Sequence, residues 1–203
     1  MKTARKGKSA VKEACLSEAL KIIAESGVET LSLREVARRL GLSHQAPYKH
    51  FASRDHILAG LVERLYQEFA AYLDDRPEAT DPFVDLGNMG ARYLEYASER
   101  PLEYRLLFNT ALPSAQDHPL MMTEARHAFD LLQTRLSHML LRPLSEEGAK
   151  DSRADAFFIW STLHGAASLL QSDALRLLEF GSDERERLIQ RVFARIGAAI
   201  NPA

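Results

Sequence analysis

The stretch from Thr30 to Phe51, TLSLREVARRLGLSHQAPYKHF, constrains the fold of this chain more than any other. Ser32 followed at the third position by Glu35 spells a capping box, in which each side chain satisfies a backbone donor at a helix start. Leu33, Val36, Ala37 and Leu40 then repeat at helical spacing. Gly41 stands just past the end of that helix, where a positive φ is usually needed; Leu42 is placed to plug the angle between two helices and Ser43 to cap the next. The spacing therefore predicts a first helix of about two turns and a second over His44 to Phe51. Two such helices around a tight corner make a helix-turn-helix, whose second helix lies in the major groove of DNA. The bland alternative is a small helical hairpin with a wet face.

Side-chain chemistry favours the first reading. His44, Gln45, Tyr48, Lys49 and His50 carry more hydrogen-bonding capacity than a packing helix needs. Gln45 is the base-reading candidate, because a side-chain amide pairs bidentately with adenine N6 and N7, whereas Tyr48, Lys49 and His50 suit phosphate oxygens, which position without specifying. Ser32, Arg34, Ser43 and Ala46 complete the residues expected at DNA, with Arg38 and Arg39 as further phosphate candidates or solvated arginines. Phe51 closes the hydrophobic side.

These residues resemble the DNA-binding domain of the tetracycline-repressor (TetR) family: a second helix reading LxxVAxxLGxS, a recognition helix ending Tyr-x-His-Phe, and a Ser-Arg-Asp start to a long helix. Many members of that family have leucine or valine before the tyrosine where this chain has Pro47, and the form SHxAPYxHF is similar to one branch of it. Further on, Tyr93-Leu-Glu-Tyr-Ala97, Pro101-Leu-Glu-Tyr-Arg-Leu-Leu-Phe108 and Trp160-Ser-Thr-Leu-His164-Gly165 resemble the family's C-terminal region with a Trp-His-Gly signature. The resemblance implies an all-α fold of about nine helices, an N-terminal three-helix DNA-binding domain over 1–56, and a C-terminal effector-binding and dimerisation domain over 57–203. It implies a homodimer, with the last two long helices pairing with their copies as a four-helix bundle, and a cavity for a small effector. Candidate lining residues are Met89, Tyr93, Tyr96, Phe108, Met121, Phe129, Phe157, Trp160 and His164, a set suited to an apolar or aromatic compound, with core packing as the plainer role for each.

Charge distribution agrees. The net charge of −2 conceals a basic first stretch, with 11 Lys/Arg against 6 Asp/Glu up to His56, followed by 15 against 22 in the remainder. Lys2, Arg5, Lys6 and Lys8 read as a tail that is mobile without DNA, and Ser9 to Ser26 as a helix ended by Gly27. A long helix begins at Ser53 and runs to about Asp75, long enough to join a DNA-binding head to whatever the rest senses, and the stretch from Arg76 to Pro82 is the clearest linker. Helical periods continue over Phe83 to Ser98, Leu102 to Leu107, Met121 to Arg142 (stopped by Pro143), Ser152 to Ser172 and Asp183 to Ile200. Residues 152 to 172 are apolar around most of the helix, so they need cover on more than one side, and Leu188, Val192, Phe193, Ile196 and Ile200 offer a second stripe.

Other functions find little support. No Gly-rich phosphate loop, GxSxG, HExxH or CxxC occurs, and His44, His50 and His56 do not share a helical face, so neither catalysis, a cofactor nor a metal is expected. No apolar run reaches about 18 residues, and the basic start lacks the apolar stretch of a secretion signal, which points to the cytoplasm. Cys15 sits at an apolar helix position as a structural thiol. The expected function is a DNA-binding regulator, most simply a repressor acting on an inverted-repeat operator in double-stranded DNA; a helical ligand-binding or scaffold protein that no longer reads DNA is the alternative.

Overall fold

The computed structural model describes residues 2–77, 79–140 and 146–200, and every regular element among them is helical. In order these are α1 (Lys2–Ser26), α2 (Leu33–Arg39), α3 (Arg54–Asp74), α4 (Pro82–Glu99), α5 (Pro101–Phe108), α6 (Pro119–Met139), α7 (Glu146–Gln171), the single turn α8 (Ala174–Leu177) and α9 (Ser182–Ile200). Short 3₁₀ turns occupy Val28–Thr30 and Pro47–Lys49. The breaks fall where backbone chemistry demands them: Gly27 at φ 87° ends α1, and Asp81 accepts from the Phe83 N–H at 2.8 Å to start α4 over Pro82.

Several boundaries differ from the sequence reading; α6, expected to run to Arg142, ends at Met139. α1 begins at Lys2 and not at Ser9, so the basic stretch expected as a mobile tail forms the first turns of the helix. Lysine, arginine and alanine favour helix, and the single Gly7 costs only about 1 kcal/mol. Likewise α7 starts at Glu146, ahead of Ser152. Pro143, expected to stop α6, lies outside the described residues.

The chain forms two compact units, the first comprising Met1–Gln67 with Arg105–Ala125, the second Glu68–Tyr104 with Arg126–Ala203. The core of the first is built from Cys15, Leu16, Ala19 and Ile22 of α1, Val36 and Ala37 of α2, and Ile57, Leu61 and Leu65 of α3, all buried. Cys15 is therefore a buried thiol, pushed up by desolvation. Arg54 ties the start of α3 to the turn after α1 by donating to the Val28 carbonyl at 2.9 Å. The segment from Arg105 joins this unit because the Tyr66 hydroxyl donates to the Leu107 carbonyl at 2.9 Å and the Tyr66 ring meets Phe108 edge-on at 6.1 Å. Burial raises the Tyr66 phenol to about 12.

In the second unit α4 packs along α7, and α7 against α9. Gly90 makes the approach of α9 possible: a Cβ there would stand 2.6 Å from Cε1 of Phe193. The stretch after α3, read from sequence as a linker, is anchored by a cation. Arg76, with its side chain only 3% exposed, donates from Nε and Nη2 to the two carboxylate oxygens of Asp85 at 3.1 and 2.9 Å. Its Nη1 reaches the Leu73 carbonyl at 2.8 Å and Asp74 at 3.1 Å. No helix among the described residues is long and apolar enough to cross a membrane.

Candidate nucleic-acid interface

Ser32 caps α2 as expected, its hydroxyl accepting from the Glu35 N–H at 3.2 Å. Only half of the capping box forms, because the Glu35 carboxylate turns to two guanidiniums instead: Arg38 at 2.6 and 2.8 Å, and Arg39 at 2.9 Å. Hydrogen bonds from Arg38 and Arg39 hold that carboxyl down to about 2. Arg39 also pairs with Glu25 at 2.6 Å. These two arginines are thus already engaged within the protein, whereas the exposed Arg34 side chain forms no hydrogen bond or ion pair among the described residues.

The corner follows from Gly41, at φ 63°. The Leu42 N–H reaches the Ala37 carbonyl at 2.9 Å and the Gly41 N–H the Arg38 carbonyl at 3.2 Å, the pair of bonds that closes a helix through a left-handed residue. Beyond it, the segment expected as a helix over His44 to Phe51 is wound more tightly. The Ala46 N–H donates to Ser43 at 2.9 Å, Lys49 to Ala46 at 3.3 Å and His50 to Pro47 at 2.9 Å, each spanning three residues, and only Pro47–Lys49 forms a 3₁₀ turn. Pro47 supplies the reason, since it has no N–H to give the carbonyl four residues back and its ring crowds that carbonyl. Ser43, expected to cap this helix, accepts through its backbone carbonyl, and the turn has no side-chain cap.

The tight winding still separates two faces. Pro47 and Phe51 are buried, and Phe51 lies against Gly60 of α3, where a Cβ would be 3.2 Å from its ring. Ser43, His44, Gln45, Tyr48 and Lys49 are exposed on the other side, with Ala46 and His50 half-buried between. The side chains of His44, Gln45, Tyr48 and Lys49 form no hydrogen bond or ion pair among the described residues, so their polar atoms are available to a partner.

The effector candidates divide. Met89, Tyr93 and Tyr96 of α4 are buried in the second unit; Trp160 and His164 of α7 and Phe129 of α6 are half-buried there. Phe129 and Trp160 meet edge-on at 6.1 Å, and Trp160 lies 6.3 Å from His164. Phe157 is 61% exposed and faces outward, while Phe108 and Met121 belong to the first unit. Sequence reasoning missed Tyr104. Its fully buried hydroxyl lies 2.7 Å from Nδ1 of His164 and 2.9 Å from the Tyr93 hydroxyl, a polar chain across three helices. A tyrosine three and four residues before Leu107 and Phe108, on the apolar face of the short helical stretch Pro101 to Phe108, was the available signal.

Burial lowers the His164 imidazole from its ordinary 6.5, and desolvation raises Tyr104 to about 12, so both are neutral at physiological pH. The folded state then binds fewer protons at His164 than the unfolded chain. Stability from this group is complete above pH 6.5 and declines as the pH falls below that value. Thermal melting from pH 7.5 to 5 should show a steeper loss in the wild type than in His164→Gln, which keeps a hydrogen-bond partner for Tyr104 but does not titrate; equal slopes would contradict the assignment. Among the described residues no group of three or more His, Cys, Asp or Glu side chains is placed to hold a metal ion.

Comparison with known proteins agrees with this geometry. Residues 16–61 match the family model of bacterial regulatory proteins of the tetR family, and residues 86–196 that of the tetracyclin repressor-like C-terminal domain. No curated protein matches the sequence. Among solved structures, the regulatory protein SCO4313 superposes with a TM-score of 0.76 at 21% identity, covering 95% of this chain and 97% of its own. A transcriptional regulator from Rhodococcus sp. Rha1 gives 0.66 at 24% identity over 91% and 95%. The fatty acid degradation regulator FadR from Bacillus halodurans gives 0.65 at 15% identity over 91% and 93%. With both parts of the chain matched and the exposed turn in place between Gly41 and Phe51, this chain belongs to the TetR family of DNA-binding transcriptional regulators.

Proposed function

We propose that the chain is a repressor that acts as a homodimer in the cytoplasm and is released from an inverted-repeat operator by a small, largely apolar effector. Regulators of this family bind DNA and small-molecule effectors as dimers. The observation that carries the reading here is the exposed, uncommitted row of His44, Gln45, Tyr48 and Lys49, set opposite the buried Pro47 and Phe51. DNA reading is assigned to residues 1–56, with Gln45 on a base edge, and Arg34, Ser43, Tyr48, Lys49 and His50 on phosphates. Effector binding and dimerisation are assigned to 57–203.

For the dimer, the support is apolar surface on α7 and α9: Phe157, Phe158, Leu169 and Leu188 are 61, 41, 52 and 39% exposed. Side chains of that size left in water call for a partner. For the effector, the support is the aromatic group around Trp160 with a polar end at Tyr104 and His164. The two recognition turns of a dimer would enter major grooves about 34 to 36 Å apart. Linkage then requires DNA and effector to weaken each other by the same factor.

Equilibrium binding tests the assignment. Gln45→Ala is expected to relax preference at one base position by about 1 to 3 kcal/mol, whereas Lys49→Ala weakens all sequences alike and lowers the salt slope by about one unit. Equal losses on every sequence for both variants would overturn the role given to Gln45.

A further inference from the structure

Pro47 is the residue that the DNA reading leaves unused, because it faces inward and touches no partner of the kind proposed. Its place in the backbone is nonetheless decisive. It lies between Gln45 and Tyr48, it carries no N–H, and its carbonyl accepts from both His50 at 2.9 Å and Phe51 at 3.0 Å. Bonds of three-residue span flank it, from Ala46 before it and from Lys49 and His50 after it, and the first bond of four-residue span is that from Phe51.

The winding changes what the exposed side chains can reach. In a 3₁₀ coil residues advance about 120° and 2.0 Å each, so side chains three apart point the same way, about 6 Å apart along the axis. In an α-helix they advance about 100° and 1.5 Å, so the same pair is offset by about 60° and only about 4.5 Å apart. Base pairs are stacked about 3.4 Å apart. Between these windings, the reach of Gln45 relative to Tyr48 shifts by about half a base step and rotates by about a sixth of a turn, and relative to Lys49 by slightly more.

We propose that Pro47 is a specificity-determining positioning residue: by holding the recognition segment in the tight coil, it sets which base step Gln45 meets while Tyr48 and Lys49 hold the phosphates. The inference rests on the DNA reading proposed above and deepens it. A residue that restores the N–H at this position, such as leucine or alanine, permits the segment to rewind toward an α-helix and moves Gln45 off its base.

The test uses the full-length protein with Pro47→Leu and Pro47→Ala. Selection from random double-stranded DNA gives a base preference for each, and competition binding measures it, with thermal melting alongside. Both variants share the restored N–H but differ in side-chain size. The expected result is a changed preferred base, with discrimination at the wild-type position altered about tenfold, in both. A role in stability alone would lower the melting temperature and weaken all sequences in proportion, leaving the preference intact, and that outcome overturns the inference while the DNA reading stands. Should one variant fail to fold, the other carries the measurement. A wild type that selects no sequence, with intact melting, overturns the DNA reading and this inference together.

Discussion

Replacing Phe51 with alanine is expected to cost about 3 to 5 kcal/mol, the range for truncating a buried aromatic side chain. Phe51 is 3% exposed and lies against Gly60 and the foot of the recognition turn. Its loss leaves a cavity that the turn cannot fill, because Pro47 is the only other buried residue of the segment. At roughly 2 to 4 °C per kcal/mol for a chain of this size, the melting temperature should fall by roughly 6 to 20 °C. DNA affinity should fall further than that of the surface variants, since the turn loses its anchor. Phe51→Leu should recover most of the stability. If Phe51→Ala melts within a degree or two of the wild type, the burial of this ring is wrong.

Asp85→Ala should have the next largest effect. Arg76 is nearly enclosed, and the two charge-assisted bonds to Asp85 offset its desolvation. Removing one member of a buried pair costs about 3 to 5 kcal/mol. The lower end is expected here, because the Leu73 carbonyl and Asp74 still meet Nη1. Arg135, 3.4 Å from Asp85 and 3.5 Å from Asp74, also loses part of its field. Replacing both partners with leucine should cost less than Asp85→Ala alone, since no buried charge is then stranded. Chemical denaturation of the two singles and the double gives the coupling directly. A loss below about 1 kcal/mol for Asp85→Ala would place the pair among surface ion pairs.

Much of the organisation was legible because it is written in short-range chemistry. The cap at Ser32, the glycine corner at Gly41 and the stop at Gly27 each depend on residues within one helical turn, and all three form. The winding of the recognition segment was less so. Tyr48, His50 and Phe51 suggested a helix, but Pro47 removes the donor that an α-turn needs. Glu35 shows a similar competition: at three and four residues from two arginines it forms ion pairs instead of completing the capping box.

Tertiary contacts were the least legible. Arg76 and Asp85 flank a proline-rich stretch that looks featureless in sequence, and only folding brings them together. Tyr104 and His164 are 60 positions apart, beyond any periodic pattern. The residues expected around an effector divide in the fold: Met89, Tyr93, Tyr96, Phe129, Trp160 and His164 lie in one unit with Tyr104, whereas Phe157 of that unit is exposed and Phe108 and Met121 belong to the other. Hydrophobicity marks a residue for burial or contact without saying against which helix.

A mobility shift on the DNA flanking the chain's own gene, at two salt concentrations and against excess random competitor, tests the central claim most directly. The wild type is expected to retain a discrete complex at the higher salt, and the Gln45→Ala/Lys49→Ala double variant to lose it while melting at the wild-type temperature. Retention of that complex by the double variant, or no preference of the wild type over competitor, would contradict a DNA-reading role for the turn between Gly41 and Phe51.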